Sequence, residues 1–225
     1  MAKRRNIGLA ALIDASRLTR APLCHDLGFA LGPRINAGGR VGQADLGVRL
    51  LTTLDPAEAA RIAGQLDHYN EERRAIESTV QEQAEALLDA QGNRAVAVIA
   101  GLGWHPGVIG IVAGRIKEKA GRPAIVIALD EVGVGKGSGR SISGVDLGAA
   151  VMAAKDSGLL VAGGGHAMAA GLTVAADKVD ALADFLDERL ASAVARARDD
   201  RALLIDAVLA PAGVNPEFVA AIEQG

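Results

Sequence analysis

The stretch Leu159-Leu160-Val161-Ala162-Gly163-Gly164-Gly165-His166-Ala167-Met168-Ala169-Ala170-Gly171-Leu172-Thr173-Val174 organises this chain. A short apolar run enters it, three consecutive glycines follow, and a histidine precedes a second apolar run. Three glycines in a row cost backbone entropy and pack nothing, so a fold retains them only for a reason. Either φ > 0 is required there, or the main chain lies against another group with no Cβ between. The small residues behind His166 (Ala167, Ala169, Ala170 and Gly171) fit the second reason. The stretch reads as a concave, N–H-rich loop presenting His166, a place suited to a phosphate. A tight turn between two strands, with His166 bonded to a carbonyl, is the competing reading. Other residues have to decide between them.

At 225 residues the chain suits one large domain or two small ones. Half of it is apolar but only 2% is aromatic, so Ala, Val, Leu and Ile must fill the core. No apolar run has the length that spans a bilayer, and no signal peptide opens the chain. The single cysteine, Cys24, rules out an internal disulfide framework and fits a cytoplasmic location. The net charge of −3 does not announce a nucleic-acid binder. Its distribution says more. Lys3, Arg4, Arg5, Arg17, Arg20, Arg34 and Arg40 face only Asp14 and Asp26 in the first forty residues, a balance suited to a phosphate-bearing ligand or to a solvated face.

Downstream, Ala95–Ala100 and Ala124–Leu129 are continuous apolar runs of strand length. A helical pattern from Val108 to Ala120 separates them, ended by Gly121 and Pro123. Strand, helix, strand implies a right-handed parallel unit. Gly133–Ile142 reads as a Gly-rich approach to a third, short strand. Asp146 starts a helix through Lys155, Leu172–Val174 makes a further strand, and an amphipathic helix runs from Asp177 to about Ala197. Upstream, Asn6–Leu18 is helical, Gly28–Arg40 is loop-like, and Ala44–Thr53 is helical again. Asp55-Pro56 is a clean helix start, with Asp as N-cap and Pro in the first turn. The charged helix that follows to Gln91 has only a thin apolar stripe, the habit of a helix bridging two domains. The chain reads as starting abruptly inside a longer protein, and its tail has a strand-like start at Leu203, Leu204 and Ile205.

Two phosphate motifs fail on spacing. Gly101, Gly103 and Gly107 miss G-x-G-x-x-G by one residue. Gly133–Ser138 has P-loop composition, but Lys136 precedes Gly and the segment leads into a strand. The four histidines, His25, His68, His105 and His166, never pair at metal-ligand spacing, so a complete metal centre is not expected. What converges is metal-free phosphate recognition. Arg40 follows a glycine pair, Ser138 and Arg140 flank Gly139, and His166 follows three glycines. Arginine offers a planar fork to phosphate oxygens, and Ser and His add hydrogen bonds. Each alone is equally a surface residue or a cap.

Gly163–Gly171 resembles the signature of the DHH-associated domain, the second half of Asp-His-His phosphoesterases. Pro33-Arg34-Ile35-Asn36-Ala37-Gly38-Gly39-Arg40, Gly103–Ala113 and Gly137-Ser138-Gly139-Arg140-Ser141-Ile142 resemble, more narrowly, the RecJ-type exonucleases. The four motifs fall in order within about residues 6 to 190. The resemblance implies an α/β fold: a mixed, largely parallel sheet flanked by helices, after a long bridging helix and a short helical segment of a truncated N-terminal domain. It divides the chain into a remnant of the DHH catalytic domain (1–54), a connecting helix (55–92), the DHH-associated domain (93–198) and the start of an OB-fold (199–225).

It also implies hydrolysis of single-stranded DNA from the 5′ end, in repair and recombination. Mn²⁺ or Mg²⁺ would be held by a DHH motif that has no counterpart here, so the isolated fragment is expected to be inactive. Arg40, Ser138 and Arg140 would line a pocket for the DNA 5′-phosphate, and His166 would reach the scissile phosphate as the catalytic residue. Asn36, His105, Gly163, Gly164 and Gly165 would complete the substrate contacts. Single-stranded DNA with a 5′-phosphate is the implied partner, with a repair helicase or single-strand-binding protein as further candidates. A smaller DHH phosphoesterase and a non-catalytic nucleotide-binding module remain alternatives.

Overall fold

The computed structural model describes residues 5–199 and 205–224. Four short helical pieces come first: α1 (Ile7–Ala15), α2 (Cys24–Asp26) running into a π-helical turn over Leu27–Leu31, α3 (Gly32–Val41) and α4 (Leu46–Thr52). The long α5 (Pro56–Ala90) follows. Then come β1 (Ala97–Leu102), α6 (Ile109–Ala120), β2 (Ala124–Leu129), β3 (Val134–Arg140), α7 (Leu147–Asp156), β4 (Ala162–His166), β5 (Ala169–Ala175) and α8 (Val179–Asp199). A final helix, α9, spans Pro216–Gln224. Of the expected strand in the tail, Leu203 and Leu204 lie outside the described residues.

α5 starts as its sequence requires. The Asp55 carboxylate accepts from the Ala57 N–H at 2.9 Å, and Pro56 supplies a preset φ in the first turn. Its first half buries Ala59, Ile62, Ala63 and Leu66 against Leu12, Leu31, Leu46 and Leu50 of α1, the π turn and α4. Its second half buries Val80, Ala84 and Leu88 against α6 and the sheet. One helix thus belongs to two hydrophobic cores, and the thin apolar stripe serves both.

The five strands lie in the order β1-β2-β3-β5-β4. Only β1 and β2 are parallel, joined by the α6 crossover; β2–β3, β3–β5 and β5–β4 are antiparallel. The sheet is mixed, but parallel pairing is its minority. The physical reason is short connections. Asp130 closes a turn by accepting from the Val132 and Val134 N–H groups, Gly133 adopts φ 81°, and β3 can only return antiparallel.

Alternation divides the sheet cleanly. Val98, Ile125, Ile127, Ala170, Leu172 and Val174 face a core closed by α7 and α8. Ala97, Ile99, Ala124, Val126 and Ala128 face the core closed by α5 and α6. β3 carries glycine at every second position because those positions are overfilled: a Cβ on Gly137 would lie 2.6 Å from Leu172 Cδ1, and one on Gly139 2.7 Å from Leu147 Cδ2. The Gly-rich segment is therefore itself the strand, not an approach to one.

Two further expectations are corrected. Gly28–Arg40 is helical, because the buried Leu31 and Ala37 dock it on α5 and tertiary packing outweighs the weak propensity of its glycines. The glycine triplet is not a loop but the edge strand β4, and none of its three residues has positive φ. Its glycines answer to close approach. A Cβ on Gly165 would sit 2.4 Å from the Ala169 carbonyl oxygen, and one on Gly163 3.0 Å from side chains of Leu160 and Val151. The backbone of α7 presses on the same end, where a Cβ on Gly148 would meet the His166 carbonyl oxygen at 2.8 Å.

Candidate phosphate-binding site

Four loops and element ends meet at the N-terminus of α6. Arg40, in the last turn of α3, donates from Nη1 to the Gly107 carbonyl at 3.1 Å. The approach is backbone to backbone, since a Cβ on Gly107 would lie 2.1 Å from the Arg40 carbonyl oxygen. The Gly107 N–H donates to His105 Nδ1 at 3.0 Å, which fixes that imidazole as a half-buried element of the turn. Three residues on, a Cβ on Gly110 would stand 3.1 Å from both Arg140 Nη2 and Ser138 Oγ. Arg140 in turn donates from Nη1 to Ser138 Oγ at 3.2 Å and to the Gly139 carbonyl at 2.8 Å.

Arg40 therefore meets the turn that leads into α6 at Gly107, and Ser138 with Arg140 meets the first turn of the helix at Gly110, three residues on. No side chain caps α6 at Val108. An uncapped helix N-terminus between two arginines and a hydroxyl suits an anion: the orphan N–H groups and the dipole add to the guanidinium charges. Asn36 sits one turn before Arg40 on α3 and is exposed on the same helix face.

His166 lies farther away but on the same side of the sheet. Arg140 pairs with Ala169, and Ala169 pairs with His166, so the Arg140 and His166 side chains point the same way. Two strand spacings put them about 10 Å apart along the hydrogen-bonding direction. His166 is exposed, and its imidazole forms no hydrogen bond among the described residues. Between them lies a floor of small residues, Ala169, Gly171 and Gly164, over a stretch of sheet that α5 and α6 leave open. Lys136 and Thr173 edge this floor, joined at 3.1 Å from Nζ to Oγ1. Gly164 and Gly171 contribute by being flat, while Gly163 and Gly165 face away and serve packing.

Sequence reasoning missed Gly110 as the residue that keeps the corner open, and Lys136 as part of the floor. The period-two pattern of Val134–Arg140 was the available signal, since it puts Lys136, Ser138 and Arg140 on one face. Trp104, by contrast, is a buried anchor: its Nε1–H donates to Gln83 Oε1 at 2.6 Å on α5. Among the described residues no three His, Cys, Asp or Glu side chains come together as a metal site, so the donors here do not fit a divalent ion. Among the described residues no helix is long and apolar enough to cross a membrane.

Residues 91–192 match the DHHA1 domain family. Beyond that class, the chain matches a portion of RecJ. It is 42% identical over 181 residues to the single-stranded-DNA-specific exonuclease RecJ of Dickeya dadantii, covering 77% of this chain and 31% of that protein. To the Bacillus subtilis protein of the same name it is 42% identical over 164 residues, covering 72% of this chain and 21% of the relative. The crystal structure of RecJ in complex with Mg²⁺ from Thermus thermophilus superposes with a TM-score of 0.73 at 32% identity, covering 84% of this chain and 29% of that one. A second RecJ structure, bound to manganese, gives 0.72 and is covered to 47%. The chain thus spans about a fifth to a third of the curated relatives it matches.

Proposed function

We propose that this chain is the substrate-binding portion of a RecJ-like 5′→3′ exonuclease acting on single-stranded DNA in repair and recombination. The observation that supports this best is the corner where Arg40, Ser138 and Arg140 meet the uncapped start of α6, at Gly107 and Gly110. A terminal phosphate carries more charge than an internal phosphodiester and offers three free oxygens, so two guanidinium forks and a hydroxyl favour the end of a strand. On this reading the strand leaves the corner over the glycine floor, and His166 meets the following phosphodiester as a hydrogen-bond donor near the bond to be cut. Asn36 steadies the strand beside Arg40, and His105 shapes the Gly107 turn.

The metal chemistry of hydrolysis, with Mn²⁺ or Mg²⁺, is assigned to a DHH domain outside these residues. No step is routed through a metal held by this chain. What these residues do is seat the phosphate end, align the backbone and neutralise charge. The first 54 residues are then the last part of the catalytic domain, and residues 199–225 lead into an OB-fold.

The test is binding of 5′-phosphorylated against 5′-hydroxyl oligonucleotides, followed by fluorescence anisotropy. A preference of about tenfold or more for the phosphorylated end, abolished by Arg140→Ala, is expected. Equal affinities insensitive to that substitution would overturn the proposal in favour of a non-catalytic nucleotide-binding module.

A further inference from the structure

Beside the corner, where α5 packs on α6, a second group of arginines surrounds one carboxylate. Arg73, Arg74, Glu77 and Ser78 of α5 and Arg115 of α6 line a cavity of about 210 Å³. Glu77 is buried; Arg73 donates to its Oε2, while Oε1 is ion-paired with Arg115 but has no hydrogen-bond partner among the described residues. Arg73 also donates to Asn70 Oδ1 at 3.0 Å, yet its Nε is buried with no hydrogen-bond partner. Arg115 reaches Gln81 Oε1 at 2.6 Å. The Arg74 guanidinium makes no hydrogen bond or ion pair among the described residues. Three guanidinium groups against one carboxylate leave a local charge of +2 on a chain whose total is −3.

The crowding has an electrostatic consequence. Burial pushes the Arg73 pKa below the usual arginine range; its pairing with Glu77 opposes that, while the like charges of Arg40, Arg74 and Arg115 add to the lowering. A cleft lined by crowded like charges is a candidate site for an anion, whose binding would relieve the repulsion. The C-terminal end of α3, which carries Arg40, packs on α5 with Gly38 against Leu66 and Gly42 against the Tyr69 ring, and Arg73 stands one turn beyond Tyr69, so this cavity lies next to the terminal-phosphate corner.

We propose that Arg73, Arg74 and Arg115 form a second phosphate subsite, which holds an internal phosphodiester of the strand whose end occupies the Arg40–Ser138–Arg140 corner. The inference rests on the reading under Proposed function and extends it. Glu77 acts as the positioning residue, holding the Arg73 and Arg115 forks apart so that Arg74 closes on the anion from solvent. The subsite reads charge and spacing but no base, so it strengthens binding of long strands irrespective of sequence.

The experiment titrates this chain with a 5′-phosphorylated dinucleotide and a 5′-phosphorylated dodecamer. It compares the wild type with Arg74→Gln, Arg115→Gln and, as a corner control, Arg140→Ala. Arg74 is exposed, so its variant should melt as the wild type does. The expected result is about tenfold weaker dodecamer binding for Arg74→Gln, with a salt slope smaller by about 0.7, and dinucleotide binding unchanged within about twofold. If dodecamer affinity and salt slope stay unchanged in both variants while the preference for a 5′-phosphate persists, the subsite is overturned and the corner survives. Loss of all 5′-phosphate preference in the wild type overturns both. An Arg74-dependent site that inorganic phosphate fills without competing with the dodecamer would also overturn the proposal, since the cavity would then serve a free anion.

Discussion

Gly110→Ala separates what the phosphate corner does for binding from what it does for folding. Gly110 is the second residue of α6, and its φ is not in the positive region, so alanine fits the backbone and gains about 0.5–1 kcal/mol of helix propensity. The new methyl meets Arg140 Nη2 and Ser138 Oγ at 3.1 Å, a few tenths of an ångström closer than ordinary contact. Both are movable ends of side chains, so they give way at little cost, and the two effects nearly cancel. A net change within about 1 kcal/mol moves the melting temperature by roughly 2–4 °C at most for a chain of this size. Binding responds differently. The methyl occupies the space between the helix turn and the Arg140 fork where a phosphate oxygen would sit. Losing one charge-assisted hydrogen bond costs about 1.5–3 kcal/mol, or about 10- to 100-fold in affinity for a 5′-phosphorylated strand. Affinity for the 5′-hydroxyl strand should barely change. Parallel anisotropy titrations and thermal melts decide the matter. A variant that keeps the full 5′-phosphate preference would show that no ligand enters between Gly110 and Arg140, and the site would have to lie elsewhere.

Three further outcomes are expected. Gly165→Val drives a side chain into the Ala169 carbonyl and the Ala170 backbone across the β4–β5 pair, where nothing can yield; a loss of about 1–3 kcal/mol in denaturant titrations is expected, with disordering of the His166 end. Asp55→Ala removes the acceptor for the Ala57 N–H and should cost about 1 kcal/mol by the same measurement. Stability should also fall in acid. A hydrogen bond from Arg20 holds the Asp26 carboxyl below its ordinary 3.8, and Arg49 and Lys119 hold Glu58 and Glu85 below 4.5. Folded values below unfolded ones mean that this stability is complete above about pH 4.5 and is lost as pH falls through the lowered values. Melting temperatures constant from pH 6 down to pH 3 would contradict it.

The long helix was legible because its signals are local: Asp55 and Pro56 at the start, Gly92 beyond the end, and no breaker between but Gly64. The two buried strands and the helix joining them were legible for the same reason. The Gly28–Arg40 helix was not, because its propensity is poor and only burial of Leu31 and Ala37 against α5 secures it. The triplet at Gly163 was misjudged as a loop because glycine has two uses, positive φ and close approach, and a sequence does not distinguish them. Only the neighbours, Ala169 on β5 and Gly148 on α7, show that close approach is the cause here.

By itself the sequence determined which residue types would be available for phosphate: Arg40, Ser138, Arg140 and His166, each with glycine beside it. It could not determine that the first three converge on the start of α6, Arg40 at Gly107 and Ser138 with Arg140 at Gly110, while His166 stands about 10 Å off across β5. Nor could it show that Arg115 reaches back to Glu77 and the arginines of α5. Those relations come from strand order and from α5–α6 packing, which join segments dozens of residues apart. Local chemistry fixes what a side chain can do; tertiary packing alone decides which others it does it with.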